Sequence, residues 1–270
     1  MSRSIARILL LGALLLIPCS AQDLVPGKAL EWPFPECAPS LYTMMTGTAA
    51  SPCLTVKLPE DYDPAKSYPL LVYVPGWHGG PKGNLGNAEE IAGPKGWIVA
   101  SLPLFKRAID SSEPAGGLLV SFADISVISK AYQTMLGRLF EKIPSIDRKR
   151  SAMVGFSNGA LTLAVLVSCQ DDFILSHFKN FCFEDHGMFH LTDLHKKGAR
   201  DGRYLVLVGD KPDLGRDLKL RGGQLLQDEM KVLGVNLKCQ VLKDTGHEFQ
   251  SRHMALVGRW LRGEPELTGP

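Results

Sequence analysis

What this chain can fold into is limited first by short, mainly apolar runs without polar alternation. Residues 68–74 (YPLLVYV) and 96–102 (GWIVASL) are the clearest. A strand with one wet face alternates apolar with polar, so continuous runs belong to strands covered on both faces. Residues 151–154, 178–183, 204–208 (YLVLV) and 235–242 are read as further strands. Between them the spacing turns helical. Over 121–143, Ile125, Ile128, Tyr132, Met135, Leu136 and Leu139 recur at three and four residues, the period of one helix face. An apolar helix is predicted over 160–167, another over 220–233 stopped by Gly234, and a last one carrying Met254, Val257, Trp260 and Leu261. Buried strands alternating with helices predict an α/β fold with a mostly parallel central sheet and helices on both faces. Residues 53–58 (CLTVKL) alternate like an outer strand. Residues 22–52, with Pro26, Pro33, Pro35 and Pro39, read as an irregular arm. The main domain is therefore expected over 53–262, with 263–270 as a tail.

Composition narrows the function. Hydrophobic residues make up 45% and charged residues 21%, enough to bury a core and too apolar for a disordered chain. The formal charge is +2. Arg3 and Arg7 account for both charges, because residues 1–21 contain no acid, so the chain from Gln22 onward is neutral. A nucleic-acid binder needs clustered cations to displace counterions, and none is expected here. Arg148-Lys149-Arg150 reads as a solvated turn.

The first residues look like an address. Arg3 and Arg7 precede the apolar run ILLLGALLLI, Pro18 breaks it, and Cys19-Ser20-Ala21 offers small residues for cleavage before Gln22. This is the pattern of a secretory signal peptide over 1–21. An uncleaved anchor or a lipid-modified Cys19 are the alternatives. The run is shorter than the roughly 20 residues a membrane span needs, so no stable span is expected after cleavage. Export would permit disulfides. Five cysteines remain: Cys37, Cys53, Cys169, Cys182 and Cys239. Cys37 with Cys53, and Cys169 with Cys182, are candidate staples; an odd count leaves at least one thiol over, and buried reduced cysteines are the alternative.

One turn carries chemistry. Gly155-Phe156-Ser157-Asn158-Gly159 fits G-x-S-x-G, between a short apolar strand and an apolar helix. A serine on such a turn presents its hydroxyl at the carboxyl edge of a sheet. A hydroxyl attacks only with a base in hydrogen-bond reach and a carboxylate to orient that base. His247, in Thr245-Gly246-His247 just past the last predicted strand, is the expected base; His253 falls inside the final helix. The acid is expected in Gly209-Asp210-Lys211-Pro212-Asp213, after strand 204–208. Asp213 has the longer reach, and Asp210 is the alternative. The developing oxyanion needs donors, expected from the backbone N–H of Asn158 and of Trp77, with His78 next, in the glycine-rich segment 75–80. Glu184, Asp185, His186, His190, Asp193 and His195 crowd one stretch; they read as a polar loop beside the site's mouth rather than a metal site.

Together these four segments resemble the α/β-hydrolase superfamily. The G-F-S-N-G turn, the chain length and the leader resemble secreted esterases of the polyhydroxybutyrate-depolymerase and feruloyl-esterase-like branch, over roughly residues 53–261. The resemblance implies a Ser157-Asp213-His247 triad, no cofactor, and hydrolysis of carboxylic esters, whether small or borne on a polymer. A serine peptidase with the same triad and a noncatalytic binding protein on the same fold are the alternatives.

Overall fold

The structure, a computed structural model, describes residues 24–45, 50–76, 80–108, 118–119, 124–191, 193–212 and 216–264. The leader expected at 1–21 and most of the tail lie outside them.

In chain order the strands are β1 Ala29–Pro33, β2 Cys53–Lys57, β3 Leu70–Val74, β4 Ile98–Ser101, β5 Arg107–Ala108, β6 Leu118–Leu119, β7 Ala152–Phe156, β8 Asn180–Glu184, β9 Arg203–Gly209 and β10 Asn236–Leu242. The helices are α1 Gly86–Ala92, α2 Ile125–Lys142, α3 Asn158–Ser168, α4 Asp172–His177, α5 Arg216–Val232 and α6 Ser251–Arg262. Among the described residues eight strands form one sheet in the order β1-β2-β4-β3-β7-β8-β9-β10, and β5 pairs with β6. From β4 to β10 every pairing is parallel, while β1 and β2 run antiparallel at the edge. The predicted mostly parallel sheet is present.

The uninterrupted strands serve two cores. Along β3, Leu70, Val72 and Val74 face one hydrophobic cluster, packed with α2, α3 and the buried side of α5. Leu71 and Tyr73 face the other, packed with α1 and α6. Period-two alternation thus persists, but both sides are apolar because both are covered. Each such Leu or Val removed from water contributes about 1.5–3 kcal/mol before entropy is counted. Helix α3 is buried all round, as its composition requires.

Two expectations meet a different outcome, and two helices lie outside the expected set. The arm read as irregular contributes β1, which pairs Trp32 with Leu54 of β2. Trp32 and Phe34 are buried, and Pro33 is tolerated because an edge strand can spare an N–H. The cysteine staples do not form: all five described cysteines are free thiols, Cys182 buried inside β8 and Cys53 Sγ turned to the Ser51 carbonyl. Helices α1 and α4, seven and six residues long, are too short to give a periodic signal. Among the described residues no helix is long and apolar enough to cross a membrane.

Candidate functional site

Ser157 sits where β7 turns into α3, with φ 52° and ψ −118°. A non-glycine residue at positive φ is strained, and such strain persists only when the surroundings impose it. The flanking glycines impose it. A Cβ on Gly155 would lie 2.6 Å from the Ala160 nitrogen, and one on Gly159 would lie 2.1 Å from the Val74 carbonyl oxygen. Strand, turn and helix can therefore approach this closely only with glycine at both places. The Ser157 N–H donates to the Glu184 carbonyl at 2.9 Å, which ties the turn to the neighbouring strand. Ser157 is 8% exposed.

His247 lies in the loop between β10 and α6. Its Nε2 is 2.9 Å from Ser157 Oγ. Its other nitrogen, Nδ1, contacts Oδ2 of Asp185. With the carboxylate on Nδ1, that nitrogen carries the proton and donates it, so Nε2 is left as an acceptor for the Ser157 hydroxyl. The ring of Phe156 stacks on the His247 ring with centroids 5.1 Å apart, and Phe249 stacks in turn on Phe156. The imidazole is thereby held in position, while 41% of its side chain stays exposed toward the site.

Asp185 follows directly after β8, at φ 53°, with its side chain 1% exposed. The Lys219 Nζ of α5 donates to the same Oδ2 at 3.3 Å. A buried carboxylate is costly unless it is paired and hydrogen-bonded, and His247 and Lys219 provide that. His186, the next residue, accepts the Gly187 N–H on Nδ1 at 2.8 Å. Burial first, then the Lys219 charge, pushes His186 down to about 4. It is therefore a neutral imidazole beside the pair.

No family model matches this sequence, and no curated protein does. Solved structures do. The BES protein of Bacillus cereus is 12% identical, with a TM-score of 0.57 over 89% of this chain and 97% of that one. A Bacillus cereus carboxylesterase is 16% identical, with a TM-score of 0.53 over 78% of this chain and 93% of its own. A thermostable esterase is 17% identical, with a TM-score of 0.48 over 87% of this chain, and here the chain spans 59% of the other's length.

The chain has the α/β-hydrolase fold.

In this α/β-hydrolase fold Ser157, Asp185 and His247 follow β7, β8 and β10, all at the carboxyl ends of parallel strands. Ser157 and His247 meet as expected. The carboxylate at His247 is a correction: it is Asp185, from the loop after β8, where the sequence pointed to the loop after β9. Asp210 is occupied elsewhere. Its Oδ1 accepts the Thr245 N–H at 3.3 Å, its own N–H donates to the Leu242 carbonyl, and the Lys211 N–H donates to the Thr245 carbonyl at 2.8 Å. The loop after β9 thus clamps the loop that presents His247. Asp213 lies outside the described residues, as do Trp77 and His78. Gly76 is described, and a Cβ there would lie 3.0 Å from Ser157 Cβ, so the segment leading to Trp77 abuts the turn. The Asn158 N–H opens α3 beside Ser157. His253 is buried in α6, accepting the Gln250 N–H on Nδ1 at 3.2 Å, with Nε2 3.2 Å from Thr245 Oγ1. Among the described residues no three His, Cys, Asp or Glu side chains are grouped to hold a metal ion.

Asp185 was in view in the sequence as part of the polar stretch 184–195. The missing signal was strand order. Strand β8 hydrogen-bonds directly to β7, so its loop opens next to Ser157, while β9 lies one strand farther, about 4.8 Å more.

Proposed function

We propose that this chain is a serine hydrolase of carboxylic esters. One observation carries the reading: Ser157 Oγ, His247 and Asp185 form a continuous hydrogen-bonded series at the carboxyl edge of the sheet, with the serine on a strained turn. The likeness to a Bacillus cereus carboxylesterase agrees with it in reaction class.

In this reading the Ser157 oxygen attacks the ester carbonyl carbon while its proton passes to His247 Nε2. Asp185 stabilises the resulting imidazolium through Nδ1–H. The former carbonyl oxygen, now negative, receives the N–H of Asn158 at the start of α3, where the helix dipole adds to the attraction. The second donor is the N–H of Trp77, for which the position of Gly76 argues. Collapse breaks the ester C–O bond, and His247 returns its proton to the departing alcohol. Water, deprotonated by His247, then releases the acid and restores Ser157. Turnover of p-nitrophenyl acetate by wild type and by Ser157→Ala tests this. The expected result is loss of at least about a thousandfold in the variant; equal rates would end the proposal. A fluorophosphonate should label Ser157 and no other serine.

We also propose that residues 1–21 direct export and are removed. Mass spectrometry of the exported protein should give Gln22 as the first residue, and a protein retaining Met1 after export would contradict this.

A further inference from the structure

Helix α5 has two apolar faces, and the fold uses one. Leu226 and Met230 are buried against the sheet. On another side Leu218, Leu225 and Val232 are 64%, 69% and 86% exposed. They stand seven residues apart, so they form a line running nearly straight down the helix. Phe189, 46% exposed, widens this line: a Cβ on Gly222, between Leu218 and Leu225, would strike its ring at 2.5 Å. Only two other large apolar residues are exposed among the described ones, Val25 and Val241. A helix with one partner face has no need of a second apolar line.

The line is self-complementary under reversal. Turning α5 end for end about Leu225 exchanges Leu218 with Val232 and Arg221 with Glu229. Among the described residues neither the Arg221 nor the Glu229 side chain has an ion-pair or hydrogen-bond partner within the chain. We propose that a second copy of this chain docks here, its α5 antiparallel to the first about a two-fold axis at Leu225. The pairing sets Leu225 against its own copy, Leu218 against the second copy's Val232, and Arg221 against the second copy's Glu229, each contact occurring twice as an isologous interface requires. A parallel pairing would oppose Arg221 to Arg221 and Glu229 to Glu229, which like-charge repulsion disfavours. A lipid surface fits less well, because Asp217, Asp228 and Glu229 share the helix with its cations. Nor does the sheet edge offer the simpler route. The Cys239 N–H in the middle of edge strand β10 already donates to Gln227 Oε1 at 2.7 Å, which blocks strand addition there.

Seventeen helical residues span about 25 Å, and one helix pair covers less than the roughly 800 Å² per partner of a standard interface. Self-association is therefore expected in the micromolar range. Sedimentation velocity of the purified protein, from low to several hundred micromolar, should show a monomer–dimer equilibrium. Leu225→Glu should weaken it at least about tenfold. Arg221→Glu and Glu229→Arg should each weaken it, and the double variant Arg221→Glu/Glu229→Arg should recover it. Circular dichroism checks that each variant is folded. A monomer at every concentration overturns the proposal, as does a dimer indifferent to Leu225→Glu. So does a double variant no better than the two single ones, or a monomer that binds anionic vesicles through this helix.

Discussion

Replacing Asp185 by Asn tests which carboxylate serves His247. Asn has nearly the same shape and tolerates the positive φ that Asp185 adopts, so the backbone is not the variable. Two things change. An amide can donate to Nδ1, which would put the imidazole proton on Nε2 and remove the acceptor that Ser157 needs. The charge opposite the developing imidazolium also disappears. At hydrogen-bonding separation, about 3 Å, a carboxylate–imidazolium pair in a medium of effective dielectric about 20 interacts by roughly 5 kcal/mol. That corresponds to about four factors of ten in rate. The 41% exposure of His247 lets solvent screen part of this, so kcat/KM for p-nitrophenyl acetate should fall about 1,000- to 10,000-fold. Asp210→Asn keeps an oxygen to accept the Thr245 N–H and should cost less than about tenfold; Asp213→Asn should cost as little. The assay is the set of kcat/KM values for the three variants, each first checked for an unchanged melting temperature. A loss in Asp213→Asn equal to or larger than that in Asp185→Asn would refute the reasoning.

Further outcomes follow from neighbouring contacts. Lys219→Met removes a donor 3.3 Å from the buried Asp185 Oδ2 and should destabilise the fold by about 1–3 kcal/mol, read from urea titrations. Because burial holds folded His186 at about 4, below the 6.5 of an unfolded histidine, the unfolded chain binds the extra proton between those values. Stability should therefore be full above about pH 6.5 and decline toward pH 4, by up to about 3 kcal/mol from this group; urea titrations across that range check it, and His186→Gln should flatten the slope. Gly159→Ala drives a methyl to 2.1 Å from the Val74 carbonyl oxygen and should destabilise by about 3 kcal/mol or more in the same titrations. Gly137→Ala, inside α2 with nothing within 4 Å of the added carbon, should instead stabilise by about 0.5–1 kcal/mol.

The parts of the site that could be read from sequence are those whose cause is local. Ser157 is one, because the strand, the two glycines and the helix that force its conformation lie within a dozen residues of it. His247 is another, because a histidine after Gly246 in the loop past the last strand can only open at the carboxyl edge. The sheet was legible for the same reason: residues buried on both faces of β3 are apolar at every position. Strand β1 was hidden by Pro33 within it and Pro26 and Pro35 beside it, and α4 by its length, although Asp171 accepts the Ile174 N–H at its start. The acid was hidden because its identity depends on which strands are neighbours, and neighbour order is decided by contacts between residues far apart in sequence.

That dependence also explains why the loop after β9 carries an aspartate without presenting it to the imidazole. His247 comes from β10 and Ser157 from β7, so the loop that brings them together must cross the ends of β9 and β8. Whatever lies under its near end has to hold it down. Gly209 meets Thr245 there so closely that a Cβ would lie 2.3 Å from the Thr245 carbonyl oxygen, and Asp210 binds the Thr245 N–H. A carboxylate used in that way is turned toward the backbone of the loop it supports and away from the ring at the loop's tip. The ring, having reached across to β7, instead lies over the end of β8, and the first side chain after that strand with a carboxylate directed to the same edge is Asp185. Glu184, one residue earlier, points through the opposite face of the sheet toward His253, as the period of a strand requires.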